Sequence, residues 1–221
     1  LWLDNGAGDG AWNMAVDQAM LEQTGRPMLR IYGWDRPTVT IGYAQNLGKL
    51  AGALPRWPVV RRWTGGGVVF HKGDLTYTLI VPAGHPWAEV RPVESYRLIH
   101  QSLAEALCSA GYEGCRLAGE EDVRDLPFCF EAPALHDVIR GAAKVAGAGQ
   151  RRGRLGLLHQ GSVQQVALDA GFWRGWASAL AADVAELEII PEGVKERAGE
   201  LRRDRYSLKQ WLENRDDLLG A

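Results

Sequence analysis

The sequence predicts an α+β fold with one main mixed, mainly antiparallel sheet flanked by helices. Three observations predict it. Short β-rich runs bounded by Gly, Pro and Asp occur in both halves of the chain; a long stretch between them carries apolar residues at helical spacing; and further helical stretches lie at both ends. The order is therefore helix, strands, helix, strands, helices, rather than a strict βαβ alternation. With 221 residues, 46% apolar and 24% charged, the chain is long enough to bury a core without disulfides or metals, and far from the composition of disorder. No linker, repeat or low-complexity tract divides it, so residues 1–221 read as a single domain.

Taken in order, Asp9 is placed to cap a helix running to about Gln23, with Trp12, Val16, Ala19 and Met20 as its buried stripe and Gly25-Arg26-Pro27 ending it. Strand-like runs follow at Leu29 to Tyr32 and Thr38 to Tyr43, around a turn at Trp34-Asp35-Arg36-Pro37. Val59 to Arg62, the triplet Gly65-Gly66-Gly67, and strands Val68 to His71 and Leu75 to Val81 come next, with Lys72-Gly73-Asp74 supplying hairpin turn chemistry. From Glu94 to Ala110, Tyr96, Ile99, Leu103 and Leu107 mark an amphipathic helix, with Gly111 past its end. Gly119 to Phe130 lacks periodicity and reads as a loop. Strands resume at Val138 to Arg140, Ala143 to Gly149 and Leu155 to Val163. Two helical stretches, about Gly171 to Leu187 and Ser207 to Leu219, close the chain, the second with Ser207 as its cap. The tail from Ile189 onward carries no functional signal.

A net charge of -2 gives no reason to expect nucleic acid as a partner. The one basic cluster, Arg151, Arg152 and Arg154, is either a solvated turn between strands or a patch for an acidic partner or phosphate. Three cysteines, Cys108, Cys115 and Cys129, are an odd number without metal-like spacing, which fits a reducing compartment. No stretch approaches the roughly 20 apolar residues of a membrane helix, and the start has no signal-peptide pattern, so a cytoplasmic protein is expected. A start at Leu1 without Met points to trimming.

Chemistry concentrates in three places. In Arg61-Arg62-Trp63-Thr64-Gly65-Gly66-Gly67-Val68-Val69-Phe70-His71, three glycines leave backbone amides open to a ligand, Arg62 offers paired donors for a carboxylate or phosphate, and His71 ends the strand. The plainer reading is a glycine-rich turn with surface arginines and a core histidine; the segment matches neither the phosphate loop nor the dinucleotide fingerprint. In Ala143-Lys144-Val145-Ala146-Gly147-Ala148-Gly149-Gln150, Lys144 shares a face with Ala146 and Ala148, placing an ammonium where an acyl carbonyl or phosphate oxygen fits, or else it faces solvent on an edge strand. Cys129, in Phe128-Cys129-Phe130-Glu131-Ala132-Pro133, is a reactive thiolate if a cation such as Lys144 is near, and otherwise a buried structural cysteine. Cys108 and Cys115 read as structural. His159 is a base or, more simply, a satisfied core histidine.

These pieces occur together and in order, beginning with Trp12-Asn13-Met14-Ala15-Val16-Asp17 and continuing through Tyr32-Gly33-Trp34, Ile41-Gly42-Tyr43-Ala44-Gln45, the Arg61 to His71 segment, Lys144 to Gln150 and Leu158-His159-Gln160-Gly161-Ser162. The combination resembles the biotin/lipoate protein ligase family of lipoate-protein ligases and octanoyltransferases. That resemblance implies a fold like the class II aminoacyl-tRNA synthetases and biotin protein ligases, and an enzyme that attaches an octanoyl or lipoyl chain to a lysine of a carrier domain. It implies Lys144 as the essential lysine and Arg62, Thr64, Gly67 and His71 at ligand positions, with Gly65, Gly66, Gly147, Ala148, Gln150 and His159 completing the substrate-binding set. Cys129 to Pro133 resembles the cysteine segment of octanoyltransferases similar to those of Gram-positive bacteria. By that branch Cys129 takes the chain from octanoyl-acyl carrier protein without a cofactor, and the acceptor is a lipoyl domain such as the glycine cleavage H protein or a 2-oxoacid dehydrogenase E2. The chain ends without room for the extra C-terminal domain of many ligases, which favours the same branch. Ala134-Leu135-His136-Asp137-Val138 departs from the transferase pattern, and an aspartate before the strand also occurs in ligases, which need ATP and magnesium. A non-catalytic protein that binds lipoyl groups or carrier domains is the third reading, and biotin transfer a fourth.

Overall fold

The computed structural model describes residues 2–123 and 132–219. In chain order these form strand β1 (Trp2–Gly8), helix α1 (Gly10–Gln23), strands β2 (Met28–Trp34) and β3 (Thr38–Ile41), the one-turn helix α2 (Leu47–Leu50), and strands β4 (Val59–Arg61), β5 (Val69–His71) and β6 (Leu75–Pro82). The short helix α3 (Pro86–Glu89) and long helix α4 (Pro92–Ser109) follow, then strands β7 (Cys115–Leu117), β8 (Val138–Arg140), β9 (Ala143–Gly153) and β10 (Gly156–Val163). Helix α5 (Ala170–Leu180), strand β11 (Glu186–Leu187) and helices α6 (Glu192–Leu201) and α7 (Lys209–Asn214) end it.

The fold is α+β, as the sequence predicts. The main sheet runs β11-β1-β2-β6-β10-β9-β8-β7, parallel at β11–β1–β2 and antiparallel from β2 onward. Period-two alternation divides its side chains between two cores. Leu29, Ile31, Tyr77, Leu79 and Leu157 pack beneath α4 and α5, where Ile99, Leu103, Leu107, Trp173 and Trp176 are buried. Burying one such side chain is worth about 1.5–3 kcal/mol, enough for that row to seat α4 firmly. Met28, Tyr32, Ile80 and Leu158 face the other way, against α1 and α6.

Asp9 caps α1, its carboxylate accepting from Trp12 N at 3.0 Å, as expected. The expected apolar stripe is not what buries this helix. Every residue from Asn13 to Leu21 is buried, polar ones included, because α1 lies between the sheet and α6. The polar positions are satisfied internally: Arg30 on β2 pairs with Asp17 at 2.6 Å, and Tyr32, Thr78 and Gln160 also donate to Asp17.

The one main sheet expected is present, and β4-β3-β5 form a second, smaller one with Val39, Ile41 and Val68 at its core. Two expectations about strands need correction. The expected hairpin at Lys72-Gly73-Asp74 instead carries the chain from the small sheet to the main one, since β5 pairs with β3 while β6 pairs with β2 and β10. Arg151 and Arg152 are not in a solvated turn: both lie on β9, half-buried, with Arg151 4.1 Å over the Trp63 ring and Arg152 donating to Ala88 O and Ser95 Oγ. Only Arg154 is in the exposed turn.

At the C-terminal end, the helix expected to Leu187 stops at Leu180, and the chain returns to add β11 at the sheet edge. The helix expected from Ser207 to Leu219 is shorter, with Leu208 rather than Ser207 at its cap. Helix α6, unforeseen, runs into a π-helical turn at Arg202–Tyr206 and buries Val194, Ala198 and Leu201 at i, i+4, i+7. Buried Arg61 fixes this tail to the small sheet, donating to the carbonyls of Trp211, Leu212, Gly42, Tyr43 and Gln45. Among the described residues no helix is long and apolar enough to cross a membrane.

Candidate active site

A pocket with about 490 Å³ of space, part of it open to solvent, lies between the α1 face of the main sheet and the small sheet. Met14, Tyr32 and Trp34 give it apolar walls, the strand residues Thr76, Gln160 and Ser162 line the main sheet side, and Thr40, Arg62, Gly66, Gly67, Val69 and His71 line the small sheet side. Lys144, Gly147, Ala148 and Gly149 of β9 line it as well.

The glycine loop closes against β9. Gly66 sits at φ +93°, and a Cβ on Gly149 would lie 2.4 Å from Gly65 O, so the two backbones meet only because neither position carries a side chain. Gly65 N donates to Gln150 O at 3.2 Å and Thr64 Oγ1 to Gln160 Oε1 at 2.7 Å.

Lys144 is not on a solvent-facing edge. Strand β9 has neighbours on both sides, and Lys144 is 8% exposed, its ammonium 2.8 Å from Asp137 Oδ2. Asp137, 1% exposed, also accepts from Tyr96 Oη at 2.5 Å and from Ala134 N at 2.7 Å, while Ala148 N donates to the same Tyr96 oxygen at 2.9 Å. Burial first, then the Asp137 charge, raises the Tyr96 pKa well above its usual value, so the phenol stays a donor to the carboxylate. This network holds a lysine charge at the pocket wall. Strict alternation along β9 fails here: the register shifts between Val138 and Ile139, which pair with Ala146 and Lys144, leaving Val145 as an extra residue. Ala146 therefore packs in the core under α4 instead of beside Lys144.

On the opposite wall, Arg62 donates from Nη1 to Thr40 Oγ1 at 2.6 Å and from Nη2 to Gly65 O and Gly67 O at 3.2 and 2.8 Å. His71 is buried, its Nε2 2.9 Å from Thr40 Oγ1 and its Nδ1 2.7 Å from Asp74 Oδ2, with the ring stacked on Trp34 at 3.9 Å between centroids. Burial lowers its pKa, against the opposing pull of Asp74, so the ring is neutral near pH 7.

Of the site residues expected from the sequence, Arg62, Gly66, Gly67, His71, Lys144, Gly147 and Ala148 converge on this pocket. Thr64, Gly65 and Gln150 stand behind it, bracing the loop and the strand. His159 is on the far face of β10, in the core, 3.1 Å from Tyr77 Oη and 2.9 Å from Gln150 Nε2, with its pKa held well below the usual value by burial. Cys129 lies outside the described residues. Cys115 is buried, and the half-buried Cys108 donates to its carbonyl at 3.3 Å. Sequence reasoning missed Thr40, Trp34, Gln160 and Ser162 as lining, and Asp74 and Asp137 as partners. Period-two spacing from Gln160 to Ser162 was the available signal for that pair; Thr40, Trp34 and Asp74 depend on how the two sheets meet, and Asp137 on the pairing of β8 with β9.

An α+β fold with a buried lysine and an arginine-held glycine loop around one narrow cleft defines the class, and comparison with known proteins places it. The chain belongs to the lipoyl protein ligase A/B catalytic domain family, whose model matches residues 9–202. It is 35% identical over 175 residues to octanoyltransferase LipM of Kyrpidia tusciae, covering 73% of this chain and 64% of that protein. It is 33% identical over 177 residues to octanoyltransferase LipM of Bacillus subtilis, covering 73% and 64%. The chain thus spans just under two thirds of the length of these relatives. Among solved structures, lipoate-protein ligase A bound with ATP superposes with a TM-score of 0.74 at 21% identity, covering 96% of this chain and 97% of that one. The bipartite lipoate protein ligase of Thermoplasma acidophilum gives 0.74 at 19% identity, covering 100% and 98%. At such identities the structures speak for the fold, and they agree with the α+β reading.

Proposed function

We propose that residues 1–221 act as one catalytic unit that transfers an octanoyl or lipoyl group to a specific lysine of a lipoyl carrier domain, in the cytoplasm. The observation that carries this reading is Lys144, an ammonium kept at the wall of a narrow, partly apolar cleft by a buried carboxylate, opposite an arginine-anchored glycine loop. The relatives named as octanoyltransferases support it.

In this mechanism the Cys129 thiolate attacks the thioester carbonyl of octanoyl-acyl carrier protein. A new C–S bond forms, the carrier thiolate leaves, and Met14, Tyr32 and Trp34 hold the chain. The neutral amine of the acceptor lysine then attacks that carbonyl; the C–N bond forms, the C–S bond breaks, and the proton lost by the amine goes to the expelled Cys129 sulfur or to solvent, leaving the amide. Lys144 and the backbone amides near Gly147 stabilise the oxyanion of both tetrahedral intermediates, and Arg62 with His71 shapes the wall against which the carbonyl sits. The acceptor is a domain of the glycine cleavage H protein or 2-oxoacid dehydrogenase E2 kind. No cofactor enters either step.

Asp137 supports a second reading, since it stands where ligases also carry an aspartate, and here it pairs with Lys144. In an ATP-dependent ligase, Lys144 and Arg62 hold the phosphate and carboxylate oxygens of an acyl-adenylate, and Cys129 takes no part. Carrier-domain octanoylation measured with octanoyl-carrier thioester alone, and separately with free octanoate, ATP and magnesium, separates the two. The transferase reading expects product in the first mixture, lost in Lys144→Met; product only in the second mixture makes the protein a ligase.

A further inference from the structure

We propose that Asp74, which does not line the pocket, is a positioning residue: through His71 and Thr40 it orients Arg62 and, with it, the glycine loop over the cleft. The inference rests on the reading of Arg62 as part of the acyl site. It starts from an unbroken run of buried hydrogen bonds joining the two sheets. Ser162 Oγ on β10 donates to Asp74 Oδ2 at 2.6 Å, fixing the carboxylate to the main sheet. The same Oδ2 is 2.7 Å from His71 Nδ1, His71 Nε2 is 2.9 Å from Thr40 Oγ1, and Arg62 Nη1 is 2.6 Å from that hydroxyl. Asp74, His71, Thr40 and Arg62 are 6%, 3%, 0% and 7% exposed, so water does not compete for these bonds.

The donor and acceptor inventory permits one direction along this run. A carboxylate oxygen only accepts, so His71 carries its hydrogen on Nδ1. The ring is neutral because burial lowers its pKa, so Nε2 is a bare acceptor and Thr40 donates its hydroxyl hydrogen to it. The Thr40 oxygen is then left to accept, and the always-protonated Arg62 fills it. Each bond polarises the next, which is how a carboxylate two side chains away sets a guanidinium. Trp34, stacked on His71 and donating Nε1–H to Thr76 Oγ1 at 2.9 Å, stops the imidazole from turning to another tautomer's partners. At the far end, Arg62 spends Nη2 on the carbonyls of Gly65 and Gly67, so any drift of its plane shifts the loop that faces Lys144. Ser162, His71 and Thr76 all converge on Asp74 Oδ2, the oxygen that serves the relay.

The test combines nitrogen NMR with a kinetic cycle. Long-range 1H–15N spectra of the intact protein, with His71 assigned by its loss in His71→Gln, are expected to show Nδ1 protonated and Nε2 bare in the wild type, and a mixed tautomer in Asp74→Ala. Octanoyl transfer at saturating donor is expected to fall about 10- to 100-fold in Thr40→Val, the loss of one bond to a charged group, while Thr40→Ser, which keeps the hydroxyl, stays within about 3-fold of wild type. Asp74→Ala and Thr40→Val break one chain, so the double variant falls no further than the worse single one by more than about 3-fold. A wild-type His71 protonated on Nε2, equal losses in Thr40→Val and Thr40→Ser, or additive losses in the double variant overturns the proposal. Should Asp74→Ala not fold, the wild-type tautomer and the two Thr40 variants still decide it. If the wild type shows no transfer at all, the acyl-transfer reading fails, and the tautomer measurement judges the relay by itself.

Discussion

Gly147→Ala separates the chemistry of this site from its stability. A Cβ built on Gly147 lies 2.5 Å from Lys144 Cε, 2.7 Å from Nζ and 3.0 Å from Asp137 Oδ1. Ordinary contacts between such atoms are about 3.5–4.0 Å, so the end of the lysine must retreat by about 1 Å. Cε and Nζ are the tip of a flexible side chain and can move without disturbing the backbone. The stability cost should stay within the usual range for overpacking, about 1–3 kcal/mol, or roughly 3–10 °C in Tm for a chain of this size. The 2.8 Å pair with Asp137 is stretched, however, and a displacement of about 1 Å in a charge-stabilising group costs about 100-fold in rate. Gly149→Ala is the contrast: its Cβ meets the Gly65 carbonyl at 2.4 Å, a backbone atom that cannot turn aside, so this variant should lose stability first. Octanoyl transfer to a lipoyl domain, measured beside thermal unfolding for both variants, checks the pair. A Gly147→Ala protein that transfers at the wild-type rate refutes the placement of Lys144 in the chemistry.

Two further predictions concern the buried polar framework. Arg30→Met leaves the Asp17 carboxylate, 0% exposed and paired at 2.6 Å, without its cation, and should destabilise the fold by about 3–5 kcal/mol in urea unfolding; a loss below about 1 kcal/mol would show that Tyr32, Thr78 and Gln160 alone satisfy the carboxylate. Acid should weaken the protein well above the carboxylate range. Burial, opposed by the Asp137 charge, depresses the pKa of His100 from 6.5 to about 4, so between pH 7 and 5 the unfolded chain binds a proton that the folded one refuses. Stability then falls as pH falls through that window, by about 2 kcal/mol from His100 alone. His71 and His159, also depressed by burial, add to the same slope. Urea titrations at the two pH values should show it, and His100→Gln should flatten but not abolish it; an unchanged slope in that variant contradicts the assignment.

The parts of this fold that were legible in the sequence are those whose signals are local. Asp9 announces its helix, the row Ile99, Leu103, Leu107 announces α4, and Val138 to Arg140 is a strand from end to end. What escaped depends on contacts between distant segments. The full burial of helix α1 escaped because it rests on Asn13, Asp17 and Gln18, whose partners Arg30, Gln160, Arg205 and Tyr206 lie far along the chain. The jump between sheets at Gly73 looks like any hairpin until β3 claims β5 as its partner. Within the site, Lys144 and Arg62 were visible as cations in small-residue strands and loops, whereas Asp137 became visible as a support only once β8 paired with β9, and Asp74 only once the two sheets came together. The bulge at Val145 is likewise a property of strand pairing, which no count of alternating residues reveals.

Acyl transfer through a thioester on Cys129, as proposed, is tested most directly by the intact mass of the wild type and of Cys129→Ala after mixing with octanoyl-carrier thioester in the absence of ATP. An octanoyl adduct on the wild type alone is the predicted result. A wild type that stays unmodified, while the carrier domain is acylated only after ATP and free acid are added, contradicts it and makes the protein a ligase.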